Sequence, residues 1–162
     1  MQVAYDSTMR QMIGIKLPVV DLSGDIWALQ RAVSCFPQIE PKTRHFFADG
    51  MYCREVSTDA NVTIVGKVHK REHFYMVVSG TVWVTTDDGV KEIVGPQVLV
   101  SKPGTKRAVF SVTPSVRLTV HRTDKTDLAE IEKELLEDDP TAMFDAGNKL
   151  KSLGMLKAEV LE

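Results

Sequence analysis

The chain has 162 residues, 43% of them apolar and 26% charged, with a formal net charge of −2. This is the profile of a single ordinary domain. It carries no apolar run near the roughly 18 residues of a membrane helix, no signal-peptide order, and only two cysteines, too few for a disulfide scaffold. The charge is unevenly spread: residues 124–162 hold eleven acids and five bases, leaving fifteen bases against eleven acids in residues 1–123.

Residues 1–50 read as an N-terminal arm. Ser23 or Asp25 is placed to cap a short helix through Ile26, Leu29, Ala32 and Val33, which repeat at three- and four-residue steps. Pro37 and Pro41 then break the chain and deliver it to Phe46–Phe47.

Residues 51–122 are strand-like throughout. Short β-rich runs fall at 51–56, 62–68, 73–78, 81–86, 90–94, 97–101, 106–112 and 115–121. Eight such runs bounded by Gly, Pro and Asp turns predict a sandwich or closed barrel, not a βαβ sheet. Ser79-Gly80 and Asp88-Gly89 read as tight hairpins.

Residues 123–162 read as an acidic helical extension. Asp124 or Thr126 serves as N-cap, and Leu128, Ile131, Leu135 and Leu136 form one apolar stripe. Asp138-Asp139-Pro140 ends this helix, and a second is expected over 141–153, stopping at Gly154. The acids read as a solvated helix face.

Chemistry is sparse. The string His69-Lys70-Arg71-Glu72-His73 spells an inverted zinc-protease motif, but its flanks are β-branched, aromatic and glycine-bounded, so the required helix is not expected. On strands, Lys67 and His69 share a face, and His73 opens the next strand beside them. Cys35 and Cys53 read as small buried side chains, and Tyr75 and Trp83 as core or interface aromatics. Neither the aromatic pattern nor the charge makes a nucleic-acid surface.

The segment Gly66–Gly80 (GKVHKREHFYMVVSG) resembles the first motif of the cupin superfamily, and Gly95–Phe110 (GPQVLVSKPGTKRAVF) resembles the second. Cupins are small jelly-roll β-barrels, many of which bind a divalent metal through three histidines and a glutamate. By this resemblance His69 matches the second motif histidine, Lys67 replaces the first, His73 stands at the glutamate and Arg107 replaces the last histidine. More closely, the runs HFFADGMYCREV, GKVHKREH, SKPGTKRAVF and VHRTDKTDLAEIE resemble small cupin-like proteins of tailed bacteriophages, over most of residues 37–135.

The resemblance implies a cupin-like jelly-roll barrel of about eight strands, with the arm before it and helices after it. The expected role is non-catalytic: binding of a small ligand, an anion on Lys67, His69, His73 and Arg107, or assembly within a virion. Lys70, Arg71, Lys102 and Lys106 would extend the positive field. The alternative is a metal-dependent enzyme of isomerase or dioxygenase type, with the metal on His69 and His73 and a third ligand from His121 or Glu72. Against metal, Lys67 and Arg107 bring positive charge to ligand positions. Also against it, alternation turns Arg117, Thr119 and His121 away from the core if Leu118 and Val120 face inward, whereas a polar barrel mouth would reverse that orientation. A homo-oligomer is expected, with a phage or host protein as further partner, no membrane contact, and a location in the host cytoplasm or the virion.

Overall fold

The computed structural model describes residues 2–4, 22 and 24–151. Its strands are β1 (Gln2–Ala4), β2 (Lys42–Ala48), β3 (Met51–Thr58), β4 (Val62–Val65) and β5 (His73–Ser79), then β6 (Thr81–Thr86), β7 (Gly89–Val94), β8 (Gln97–Ser101), β9 (Ala108–Ser111) and β10 (Ser115–Arg122). Two helices, α1 (Ile26–Ser34) and α2 (Leu128–Leu135), flank the β region. The strands form two antiparallel sheets, ordered β2-β3-β10-β5-β8 and β1-β4-β9-β6-β7.

The eight runs read from the sequence are β3 to β10. Their arrangement, β3-β10-β5-β8 facing β4-β9-β6-β7, is the double Greek key of a jelly roll. The sheets share no ladder, so the expected closed barrel is an open two-sheet sandwich. Ser79-Gly80 is not a hairpin, because β5 and β6 belong to different sheets and the chain changes sheet there. Gly80 has φ 84°, and a Cβ on it would lie 2.2 Å from the Pro114 carbonyl oxygen, so no side chain fits this corner. Asp88-Gly89 does mark a hairpin, with Thr86 paired to Gly89.

β2 was not expected as a strand. Its signal was Asp49-Gly50, both at positive φ (37° and 73°), which pairs Ala48 with Met51 in a two-residue turn. The consecutive aromatics Phe46 and Phe47 blur the alternation that would otherwise have announced it.

Three apolar clusters hold the layers. Between the sheets, Val77, Val82, Val84, Ile93 and Val109 surround Tyr75. On the outer face of the second sheet, α1 packs Val33 against Val65 and Ala108. Asp25 caps α1 by accepting from the Trp27 N–H, and Ala32 is exposed instead of completing the stripe. At one end of the sandwich, Ile131 and Leu135 of α2 cover Tyr52.

The N-cap of α2 is Asp127, which accepts from the Glu130 N–H; Asp124 and Thr126 lie outside the helix. The helix stops at Leu135 because Leu136 turns extended and bridges to His69. The expected second helix is absent over 141–151. The Asp145 carboxylate there accepts from the Gly147 and Lys149 N–H groups, a local turn that competes with helix. Gly154, its expected stop, lies outside the described residues.

Most acids of the extension are solvated, Asp124, Asp127, Glu130, Glu137, Asp138 and Asp145 being exposed, but three are not free. Glu132 pairs with Lys67, Glu134 with Arg71, and Asp139 lies 3.8 Å from Lys106. Part of the uneven charge thus serves to fasten the extension to the loops of the β sandwich through these three ion pairs.

Candidate functional site

The first sheet turns a polar face inward. On β10, Ser115, Arg117 and His121 are buried, whereas Val116, Leu118 and Val120 lie on the partly exposed outer side. The expectation that apolar residues would face the core and turn His121 outward is therefore reversed. Register does the rest: His121 sits opposite Tyr52, Thr119 lies between Arg54 and Tyr75, and His73 pairs with Ser101.

His69 comes to this face from the loop after β4. Its N–H donates to the Thr105 carbonyl (3.0 Å), its carbonyl accepts from the Gly104 N–H (2.8 Å), and the Lys70 N–H donates to Leu135 at the end of α2 (2.8 Å). The second motif loop and α2 thus clamp the residue that bears the imidazole.

His69, His73 and His121 form one cluster. Ring centroids are 4.0 Å apart for His69–His73, 4.4 Å for His73–His121 and 5.1 Å for His69–His121. One nitrogen from each lies within 4.8 Å of the others. His73 Nδ1 donates to the Arg71 carbonyl (3.1 Å), which leaves its Nε2 as the lone-pair nitrogen. Nδ1 of His69 and Nδ1 of His121 are buried without a partner.

Burial lowers the pKa of His69 to about 2, helped by His73 and Arg54, and that of His121 to about 3 with the same helpers. His73 is lowered too, again chiefly by burial. All three are neutral imidazoles near neutral pH, the form that ligates metal.

Beside the cluster is a cavity of about 80 Å³ lined by His69, His73, Tyr75 and three arginines, Arg54, Arg107 and Arg117. Arg107 donates to Ser101 Oγ from Nε (3.2 Å) and Nη2 (2.8 Å) and to the Thr85 carbonyl from Nη1 (2.9 Å), with its guanidinium 5.6 Å from the Tyr75 ring centroid. Arg117 donates from Nη2 to Thr58 Oγ1 (2.9 Å). Tyr75 and Arg117 are near enough to act on each other electrostatically, yet Tyr75 Oη and Arg117 Nε lack a hydrogen bond of acceptable geometry. Burial lowers the pKa of both Arg107 and Arg117 and raises that of Tyr75.

Unmet polar atoms gather here. Seven are buried without partners among the described residues, and five belong to residues lining this cavity: Arg54, His69, Tyr75, Arg117 and Thr119. A sixth is on His121. A buried unmet group costs about 1–3 kcal/mol, so the fold tolerates a concentrated penalty at one place.

The sequence-predicted residues Lys67, His69, His73 and Arg107 all line the cavity. Lys67 is engaged by Glu132, so its charge is already matched. Glu72 is exposed and outside the histidine cluster; the third imidazole is His121. His73 opens a strand, so no zinc-protease helix forms.

Of the rim cations, Arg71 and Lys106 are met by acids, while Lys70 and Lys102 are exposed and form no ion pair among the described residues. Lys70 donates to the Lys133 carbonyl, Arg71 pairs with Glu134, and Lys106 lies 4.1 Å over the Trp27 ring while donating to the Gly66 carbonyl. Only Lys102 of that set is exposed without such a contact among the described residues. His45, the fourth histidine, lies 2.8 Å from the Tyr52 hydroxyl through Nδ1. Cys53 is half-buried, Cys35 exposed, and Trp83 faces outward with its Nε1 donating to Glu92.

Sequence reasoning missed Arg54 and the inward aim of Arg117. Arg54 lies between Cys53 and Glu55 and Arg117 between Val116 and Leu118, and only the pairing of β3 with β10 shows which alternate faces inward.

No family model matches the chain, and no curated protein is similar to it in sequence. Among solved structures it is similar to a cupin superfamily protein from Desulfitobacterium hafniense, at 14% identity and TM-score 0.44, covering 68% of this chain and 94% of that one. It is also similar to the cupin_2 domain of an XRE family transcriptional regulator from Enterobacter cloacae, at 12% identity and TM-score 0.46, covering 54% of this chain and 100% of that one. An acetylacetone dioxygenase from Acinetobacter johnsonii matches at 12% identity and TM-score 0.43, over 49% of this chain and 58% of that one. No residue role or activity passes from these proteins to this chain. The strand order itself makes the protein a mainly β jelly roll, with cupins among the structures it resembles.

Proposed function

We propose that this is a small-ligand-binding protein of the phage cupin type whose interior holds a divalent cation on His69, His73 and His121. The observation that carries the reading is the convergence of three neutral imidazoles, two on buried residues and one half-buried, two of them with an unpartnered Nδ1. The donor set suits the ion: imidazole is a common ligand for zinc, iron, nickel and copper. The Arg71 carbonyl fixes the His73 tautomer, as an outer hydrogen bond does for metal-bound histidines. The charge objection is weakened at Lys67, which Glu132 matches, and at Arg107, whose guanidinium is tied to Ser101 and Thr85.

Three protein ligands are also the number a catalytic ion uses, with a position left for water or substrate. That favours a metal-dependent enzyme as second reading, the ion supplying Lewis-acid or redox chemistry. For the assembly role, the outer face of the first sheet exposes Phe46, Phe74, Val98 and Val100, with Arg44 and Glu55 paired between them. An apolar patch bearing a self-neutralised ion pair is complementary to its own copy, so a homodimer on this face belongs to the proposal.

The test is metal analysis of protein purified without added metal, beside His69→Ala, His73→Ala and His121→Ala. About one equivalent of metal, lost in each variant, is the expected result. Metal-free protein that takes up no zinc, nickel or iron on titration would overturn it. Light scattering checks the dimer, and a Phe74→Lys variant should be monomeric.

A further inference from the structure

We propose that the cavity among Arg54, Arg107 and Arg117 binds a small organic acid. Its carboxylate lies among the guanidiniums and its short carbon skeleton rests against Val56, Ile64 and Val109. This goes beyond the cation and does not depend on it.

The first observation is a charge imbalance. Arg117 is 4% exposed, and its one hydrogen bond of good geometry goes to an uncharged hydroxyl, Thr58 Oγ1. Among the described residues no carboxylate forms an ion pair with Arg54, Arg107 or Arg117. No Asp or Glu lines the cavity, and Asp87 acts on Arg107 only through space. Arginine does not escape by losing its proton. Buried cations of this kind need a counter-charge, and a ligand anion would supply it.

The second observation is the character of the unmet groups. Arg54 Nε, Arg117 Nε, Tyr75 Oη and Thr119 Oγ1 can each donate. A carboxylate only accepts, and two guanidinium forks match its planar oxygens. Four donors with no competing acceptor acid make a site of one sign.

The third is size and lining. About 80 Å³ equals the liquid volume of roughly two to three waters, at about 30 Å³ each. That takes a carboxylate group and about one further carbon, so the remainder of a longer skeleton runs out through the cavity's open side. Val56, Ile64 and Val109 give part of the wall an apolar surface, which suits carbon and would go unused by a bare phosphate.

The experiment is calorimetric titration of the full chain, treated with EDTA so that the metal reading stands or falls separately. Acetate, malonate and succinate form one arm, inorganic phosphate a second and chloride a third. At least one carboxylate should bind saturably, about tenfold tighter than chloride, with affinity falling about tenfold or more in Arg107→Gln and Arg117→Gln. Arg31→Gln, exposed on α1 and paired with Asp25, should bind like the parent. Circular dichroism verifies each fold; if Arg117→Gln does not fold, Arg107→Gln decides alone. No saturable carboxylate binding, or equal binding in the folded arginine variants, would overturn the proposal. Saturable binding of phosphate alone would overturn the organic-acid assignment.

Discussion

The space between the two sheets has two unlike ends. At one, Val77, Val82, Val84 and Ile93 are at most 5% exposed and pack together in one apolar cluster. At the other, His73, Arg117 and His121 are equally deep, and His69, Arg54 and Arg107 stand half-buried beside them. Strand β5 crosses from one to the other in four residues, since His73, Tyr75 and Val77 share its inner face. The difference teaches a division of labour: the dry end drives folding by burying apolar surface, and the polar end opposes folding until something binds there. Groups that break local rules of burial mark the place where stability gives way to function.

The comparison can be broken most forcefully from the dry end. Val84→Asp puts an unpaired carboxylate at a position with no exposure. It should destabilise by about 4 kcal/mol or more, a large share of the about 5–15 kcal/mol of a typical domain. Urea unfolding measures this, and a loss below about 1 kcal/mol would show that the dry end is wet.

Acid tests the polar end. His69 and His121 have folded pKa values near 2 and 3, below the ordinary 6.5. The unfolded chain therefore takes up protons below pH 6.5 that the fold refuses, so stability is full above that value and falls as pH drops. Between pH 7 and 5 the loss should be about 2 kcal/mol for each histidine, about 4 in all. Denaturant curves at the two pH values check it, and His69→Gln with His121→Gln should flatten the dependence. A pH-independent parent would contradict the neutral, buried cluster.

Substitution at the polar end should have the opposite sign to the first. Arg117→Met replaces an uncompensated buried charge with a carbon chain of similar length. In ligand-free protein it should raise stability by about 1–3 kcal/mol while abolishing anion binding. Marked destabilisation, read by thermal melting without added anions, would make Arg117 a structural residue. The smallest effect is expected for Tyr75→Phe, which removes an unpartnered hydroxyl and should change stability by less than about 1 kcal/mol, toward greater stability.

The fold was legible because strands announce themselves locally. β-branched and aromatic runs such as TVWVTT and HFYMVV, cut by Gly and Pro, need no knowledge of partners. The site was legible only in part. His69 and His73 lie close in sequence on a recognisable motif, whereas His121 is contributed by a strand about fifty residues away. Its alternation was visible, but alternation yields two faces and not their assignment. The usual rule that valine and leucine face inward picked the wrong face for β10, because Val116, Leu118 and Val120 belong to the apolar outer surface of the sheet.

The acidic extension illustrates the same limit. Its composition suggested a solvated helix, and its first amphipathic stripe was correct, yet Glu132, Glu134 and Asp139 answer Lys67, Arg71 and Lys106 across the fold. The sequence by itself determined the eight jelly-roll strands, the two helices that formed and the clustering of chemistry around His69 and His73. These depend on short-range propensity, periodicity and capping. Only the tertiary structure decided that Arg54, Arg117 and His121 look inward and that acids meet Lys67, Arg71 and Lys106 at the rim while, among the described residues, none pairs with the arginines inside. Strand pairing and burial set those outcomes, and both couple residues that the chain keeps far apart.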